Sequence, residues 1–111
     1  MTQTDRARLQ DAAEHLVVLH HHLAEKGADD QLVIDAAALR LSAAIDSVAS
    51  VPDTLRQKVI TDDSWRAIKG MRNRIAHAYA FFDPAVLRST LDRDVAGFEA
   101  DVHRLIALTP E

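Results

Sequence analysis

Between Trp65 and Tyr79 the chain reads WRAIKGMRNRIAHAY, a run in which apolar and cationic residues recur at helical spacing. On a wheel that advances 100° per residue, Ile68, Met71, Ile75 and Ala78 fall within about 80° of one another. Arg66, Lys69, Arg72, Asn73 and His77 share a separate arc of about 140°, broken only by the small Ala76 and Ala80. A helix over roughly 64–80 is therefore two-sided. Its apolar stripe has to be buried against other elements, and its polar arc is left to solvent or to chemistry.

The rest of the sequence offers helices to bury that stripe. Thr4 or Asp5 can cap a first helix that runs to Lys26, with Leu9, Ala12, Ala13, Leu16, Leu19 and Leu23 as its stripe and Gly27 as its stop. Asp29 or Asp30 can cap a second, carrying Leu32, Ala37, Leu41, Ala44, Ile45 and Val48 and ending ahead of Pro52. A short third helix is expected from Asp53 to Ile60, where Leu55 and Val59 share a face. The Asp62-Asp63-Ser64 cluster then caps the central helix. Asp83-Pro84 opens a long final helix striped by Leu87, Leu91, Val95, Phe98, Val102 and Leu105, in which Gly97 is a mild weakness. No stretch alternates as a strand would, and no repeat or linker divides the chain. The expectation is all-α: an antiparallel four- to five-helix bundle, with residues 1–111 as one domain.

Charge narrows the range of functions. The formal net charge is -4, yet four cations lie between Arg66 and Arg74, which points to a local anion site and away from bulk affinity for nucleic acid. There is no Cys, hence no disulfide, thiolate zinc site or thiol nucleophile. No apolar run approaches the roughly 20 residues needed to span a bilayer, and the N-terminus lacks the apolar core of a secretory signal, so a cytoplasmic location without membrane partners is expected. His20, His21 and His22 follow His15, but consecutive histidines point in different directions around a helix and no carboxylate completes a ligand set. Neither a metal nor a cofactor is expected. Trp65 reads as a core or interface anchor, and Phe81 and Phe82 as packing residues at a helix connection.

On the polar arc, Lys69, Asn73 and His77 succeed one another at intervals of four, which lines up a cation, an amide and an imidazole. Arg72 flanks that line. A guanidinium can grip a phosphate with two parallel hydrogen bonds, an amide can orient a ring or hydroxyl, and an imidazole can move a proton near neutral pH. From the residues alone three readings stay open. The arc could be the site of an enzyme, a non-catalytic nucleotide-binding or helical partner subunit, or the solvated face of a dimerisation module.

The run Arg72-Asn73-x-x-x-His77-x-Tyr79 resembles the Arg-x4-His-x-Tyr motif of HEPN-domain proteins, specifically the HepT-like ribonuclease toxins that are paired with a minimal nucleotidyltransferase antitoxin. Trp65-Arg66-x-Ile68-x-Gly70-Met71 is similar to that family's lead-in to the motif, and the resemblance extends from about Asp30 to the C-terminal end. It implies metal-independent cleavage of RNA, with Arg72, Asn73 and His77 catalytic and Arg66, Lys69 and Arg72 binding the substrate phosphate. It also implies that Tyr79 accepts AMP from the cognate nucleotidyltransferase, whose action silences the toxin. Attack of a ribose 2'-hydroxyl on the adjacent phosphate benefits from both a base and an acid, while the motif supplies one His per chain. A homodimer that brings two central helices together would supply the second.

Overall fold

Thr4 starts the first helix: its hydroxyl accepts the Ala7 N–H at 3.1 Å, satisfying one of the donors that a helix N-terminus leaves unpaired. The computed structural model describes residues 3–26, 30–81 and 84–110, and among these six helices follow one another with no strand. They are α1 (Asp5–Lys26), α2 (Gln31–Ala49), α3 (Asp53–Arg56), α4 (Asp62–Phe81), α5 (Pro84–Arg93) and α6 (Val95–Leu108). The expected stop at Gly27 and cap at Asp83, together with Phe82, lie outside the described residues, as do the side chains of Ala78, Tyr79, Ala80 and Phe81.

Asp30 caps α2, its carboxylate accepting from the N–H groups of Leu32 at 2.9 Å and Val33 at 3.3 Å. Near the start of α1, Arg8 donates to the Ser50 carbonyl just past the end of α2; further along, Arg40 of α2 donates to His15 Nδ1, both at 3.1 Å. The two helices are thus antiparallel. The same logic fixes α6 against α1, because Arg6 donates to the carbonyls of Ile106 and Thr109 at 3.3 Å while His20 meets Glu99 at 3.1 Å. His15 and His20 are therefore braces between helices.

One continuous cluster makes the core. Leu9, Ala12, Leu16 and Leu19 of α1 pack with Ala37, Ala38, Leu41, Ala44, Ile45 and Val48 of α2, and Met71 and Ile75 of α4 join Leu87, Leu91, Phe98, Val102 and Leu105. The buried alanines let the first two helices approach closely. Ile68 is half-buried against this cluster, so Ile68, Met71 and Ile75 of the central helix face the core as their spacing predicts.

Four expectations are corrected. Leu32 is 75% exposed and belongs to the outer face of α2, since it stands about 180° from Leu41 on the helical wheel. The third helix stops at Arg56, whose carbonyl accepts from the N–H groups of both Val59 and Ile60, closing a tight turn over 57–60. The central helix begins at Asp62, and its cap is Thr61, whose hydroxyl accepts the Ser64 N–H at 3.1 Å; Asp62 and Asp63 occupy the first turn, where they complement the helix dipole. The long final helix is broken at Asp94, three residues ahead of Gly97, because its halves serve different neighbours: α5 packs on α2, and α6 on α1.

Candidate functional site

The rotation of α4 is set at its first turn. Trp65 is buried there, and the Arg56 guanidinium lies over its ring, 5.6 Å from the centroid. Arg56 is itself only 4% exposed; it donates to the Ile60 carbonyl at 2.8 Å and to the Asp62 carboxylate at 2.9 Å. Hydrogen bonds from Gln57 and then Arg56 hold the Asp62 carboxyl below the ordinary carboxylate range. Sequence reasoning passed over Arg56. Locally it looks like Lys58, the other cation between the half-buried Leu55 and Val59, and its only signal is its place shortly ahead of the only Trp.

With α4 fixed in this way, its polar arc meets the outer edge of α2. Arg72 donates from Nε to Asp46 Oδ1 at 2.6 Å and from Nη2 to Asp46 Oδ2 at 3.1 Å, a two-point pair between helices. These hydrogen bonds, then the Asp46 charge, push the Arg72 pKa above its already high value. Beside the pair lies an open pocket of about 320 Å³, lined by Ile45, Asp46, Ala49, Lys69, Arg72 and Asn73. Its walls combine an apolar floor with two cations, one carboxylate and one amide. Such a lining can seat a phosphate and a neighbouring polar group, and its chemistry offers no thiolate or imidazole for a metal.

The structure brings Lys69, Arg72 and Asn73 together as the spacing predicts, and separates two other residues from them. Arg66 is tied to Asp63 at 3.0 Å, one turn back, and does not line the pocket. His77 is exposed on the same helix but outside the pocket, about 6 Å further along the axis than Asn73 by the rise of a helix. Arg74 leans away from the arc toward Asp94, at 3.9 Å. Tyr79 occupies α4 two positions past His77, and its side chain lies outside the described residues.

Asp46 is the pocket residue that sequence reasoning missed. Nothing in its local pattern marks it, because its partner is 26 residues away. It shares the outer face of α2 with Leu39, which is 65% exposed, and with Leu32, at successive intervals of seven residues.

A family model described as Ribonuclease HepT-like matches residues 9–105. No curated protein and no solved structure matches the chain. The family match runs from Leu9, the first core residue of α1, to Leu105, the last core residue of α6, and so takes in every helix together with the segment that carries Arg72, Asn73 and His77: the chain belongs to the HepT-like ribonuclease family.

Proposed function

We propose that this protein is a metal-independent endoribonuclease that works as a homodimer, and that the Arg72-x4-His77 segments of two protomers form one RNA-cleaving cleft. The observation that carries the reading is the grouping of Lys69, Arg72 and Asn73 in one pocket, one helical turn from an exposed His77, in a chain of the HepT-like family. In the reaction, one His77 takes the proton of a ribose 2'-hydroxyl as that oxygen bonds to the adjacent phosphorus. The bond from phosphorus to the 5'-oxygen breaks, and the leaving oxygen takes a proton from His77 of the second protomer. Arg72 binds the phosphate and stabilises the charge that develops on its oxygens, Lys69 adds a second cation, and Asn73 orients the substrate or His77. Arg66, held by Asp63, serves RNA further out along the helix.

Two features support the dimer. One His per motif leaves the reaction short of an acid or a base, and Leu32 and Leu39 expose a pair of large apolar side chains on the α2 face that also carries Asp46. A second copy seated there, with the small exposed Ala76 allowing close approach on α4, covers those leucines and faces the two pockets toward each other. A cognate minimal nucleotidyltransferase acts as antitoxin, transferring AMP from ATP to the Tyr79 hydroxyl; the added phosphate compensates Arg72 and the adenosine blocks the RNA path.

Purified protein should cut RNA in the presence of EDTA. Arg72→Ala and His77→Ala should each abolish that cleavage while the helical circular dichroism stays unchanged, since neither side chain belongs to the core. Full activity in either variant refutes the assignment. Saturable nucleotide binding by the wild type without cleavage would favour a non-catalytic partner subunit instead.

A further inference from the structure

A guanidinium has five N–H donors and two edges that can each meet an oxyanion with two parallel hydrogen bonds. Asp46 takes the side edge of Arg72, through Nε and Nη2. That leaves the second hydrogen of Nη2 and one hydrogen of Nη1, which together make up the end edge, besides the Nη1 hydrogen that points back toward Cδ, and among the described residues no other acceptor takes them. Arg72 itself lines the pocket with Lys69 and Asn73, and is 41% exposed at its side chain. A long, flexible arginine on a helix surface would otherwise sample many rotamers and lose conformational entropy on meeting a phosphate.

We propose that Asp46 is the positioning residue of this site: its carboxylate clamps the side edge of Arg72 so that the end edge is presented to one phosphate of a bound RNA strand. The proposal rests on the reading of Arg72 as the phosphate-binding group. It makes the site a product of two helices, with α4 supplying the group that touches substrate and α2 fixing its orientation. The substrate phosphate adds to the Arg72–Asp46 pair and does not displace it, so the pair persists in the complex. One carboxylate in an anion site weakens overall attraction for RNA, and orientation is what it gives in return.

The test compares wild type, Asp46→Asn, Asp46→Ala and Asp46→Glu for RNA cleavage under EDTA. It also measures binding of a 2'-O-methyl RNA oligonucleotide, which lacks the attacking hydroxyl. The Arg72 Nε–H resonance is followed by nitrogen-15 NMR with and without that oligonucleotide. Misplacing a group that stabilises the transition state lowers the rate by about 10- to 100-fold. The expected result is therefore a loss of that size in kcat for the Asn and Ala variants, with partial recovery in Asp46→Glu. Affinity for the 2'-O-methyl RNA should be unchanged or tighter, because a negative charge has been removed. In wild type the Nε–H proton should exchange slowly both free and bound to the oligonucleotide, and rapidly in Asp46→Ala. Cleavage that is unchanged or faster in Asp46→Ala would overturn the proposal and make Asp46 a bystander or a competitor for the guanidinium. Release of the Nε–H proton when the oligonucleotide binds to wild type would overturn it as well. If wild type cuts no RNA, the ribonuclease reading fails separately, and the resonance in the presence of the oligonucleotide still decides whether Asp46 keeps its grip while Arg72 meets a phosphate.

Discussion

Arg56→Ala should destabilise the protein by about 2 kcal/mol, the difference between what the buried guanidinium contributes and what its burial costs. On the favourable side, the charge-assisted hydrogen bond to the Ile60 carbonyl is worth about 1.5–3 kcal/mol and the cation–π contact with buried Trp65 about 1–2 kcal/mol. Opposing them, Arg56 Nε is buried without a hydrogen-bond partner among the described residues, an orphan that costs about 1–3 kcal/mol and disappears on truncation. The ion pair with Asp62 adds little, since that carboxylate is largely exposed and screened by water. For a domain of this size about 2 kcal/mol corresponds to a fall in Tm of about 8 °C, read by thermal unfolding or as a lower urea midpoint with an unchanged slope. Arg56→Met keeps the packing of the stem under Trp65 and removes the orphaned Nε, so it should fall between wild type and Arg56→Ala. A Tm for Arg56→Ala within about 2 °C of wild type would refute the reasoning, and so would an Arg56→Met less stable than the alanine variant. Either result would mean that the corner between α3 and α4, which sets the rotation of the polar arc, is held by something other than this residue.

Leu39→Glu should convert a micromolar dimer to monomer in sedimentation experiments without loss of helicity, because the side chain is exposed in the single chain; a variant that stays dimeric would move the interface elsewhere. The Asp62 carboxyl titrates below its usual value when folded, so its contribution to stability is present above pH 3.8 and is lost as the pH falls through the lower folded value. The small Tm advantage of wild type over Asp62→Asn should accordingly be seen at neutral pH and vanish in strong acid. Incubation with the cognate nucleotidyltransferase, ATP and magnesium should add mass in multiples of AMP to wild type and not to Tyr79→Phe; equal modification of the Phe variant would reject Tyr79 as the acceptor.

The helices were legible because burial in a bundle follows the 3.6-residue period directly. The boundaries of α1 and α2 follow from Thr4, Asp30 and the approach to Pro52, each a local signal with a local cause. What escaped was set by tertiary partners. The break at Asp94 cannot be read from the continuous stripe of the final helices, since Leu87 and Val102 are both buried and only the fold reveals that α5 packs on α2 and α6 on α1. Leu32 is deceptive for the opposite reason: as an apolar residue near a helix start it reads as part of the stripe, although its angle to Leu41 puts it on the far side. The short α3 depends on Arg56 folding back onto Ile60, a contact that no periodicity encodes.

The site shows the same division. Counting cations along one helix suggests a strongly positive segment from Arg66 to Arg74, and the fold neutralises most of that charge: Arg66 with Asp63, Arg72 with Asp46 and Arg74 with Asp94. Among the described residues Lys69 is the one cation of the four without a carboxylate partner, so the pocket carries the net equivalent of a single positive charge. A pocket so nearly neutral attracts a polyanion weakly by itself, and a chain whose overall charge is -4 adds no long-range pull. Two such pockets facing each other would double the cations around one strand while keeping each Arg72 oriented by its own Asp46. The demand for a second histidine and the demand for a second lysine therefore lead to the same dimer, one from proton transfer and the other from charge.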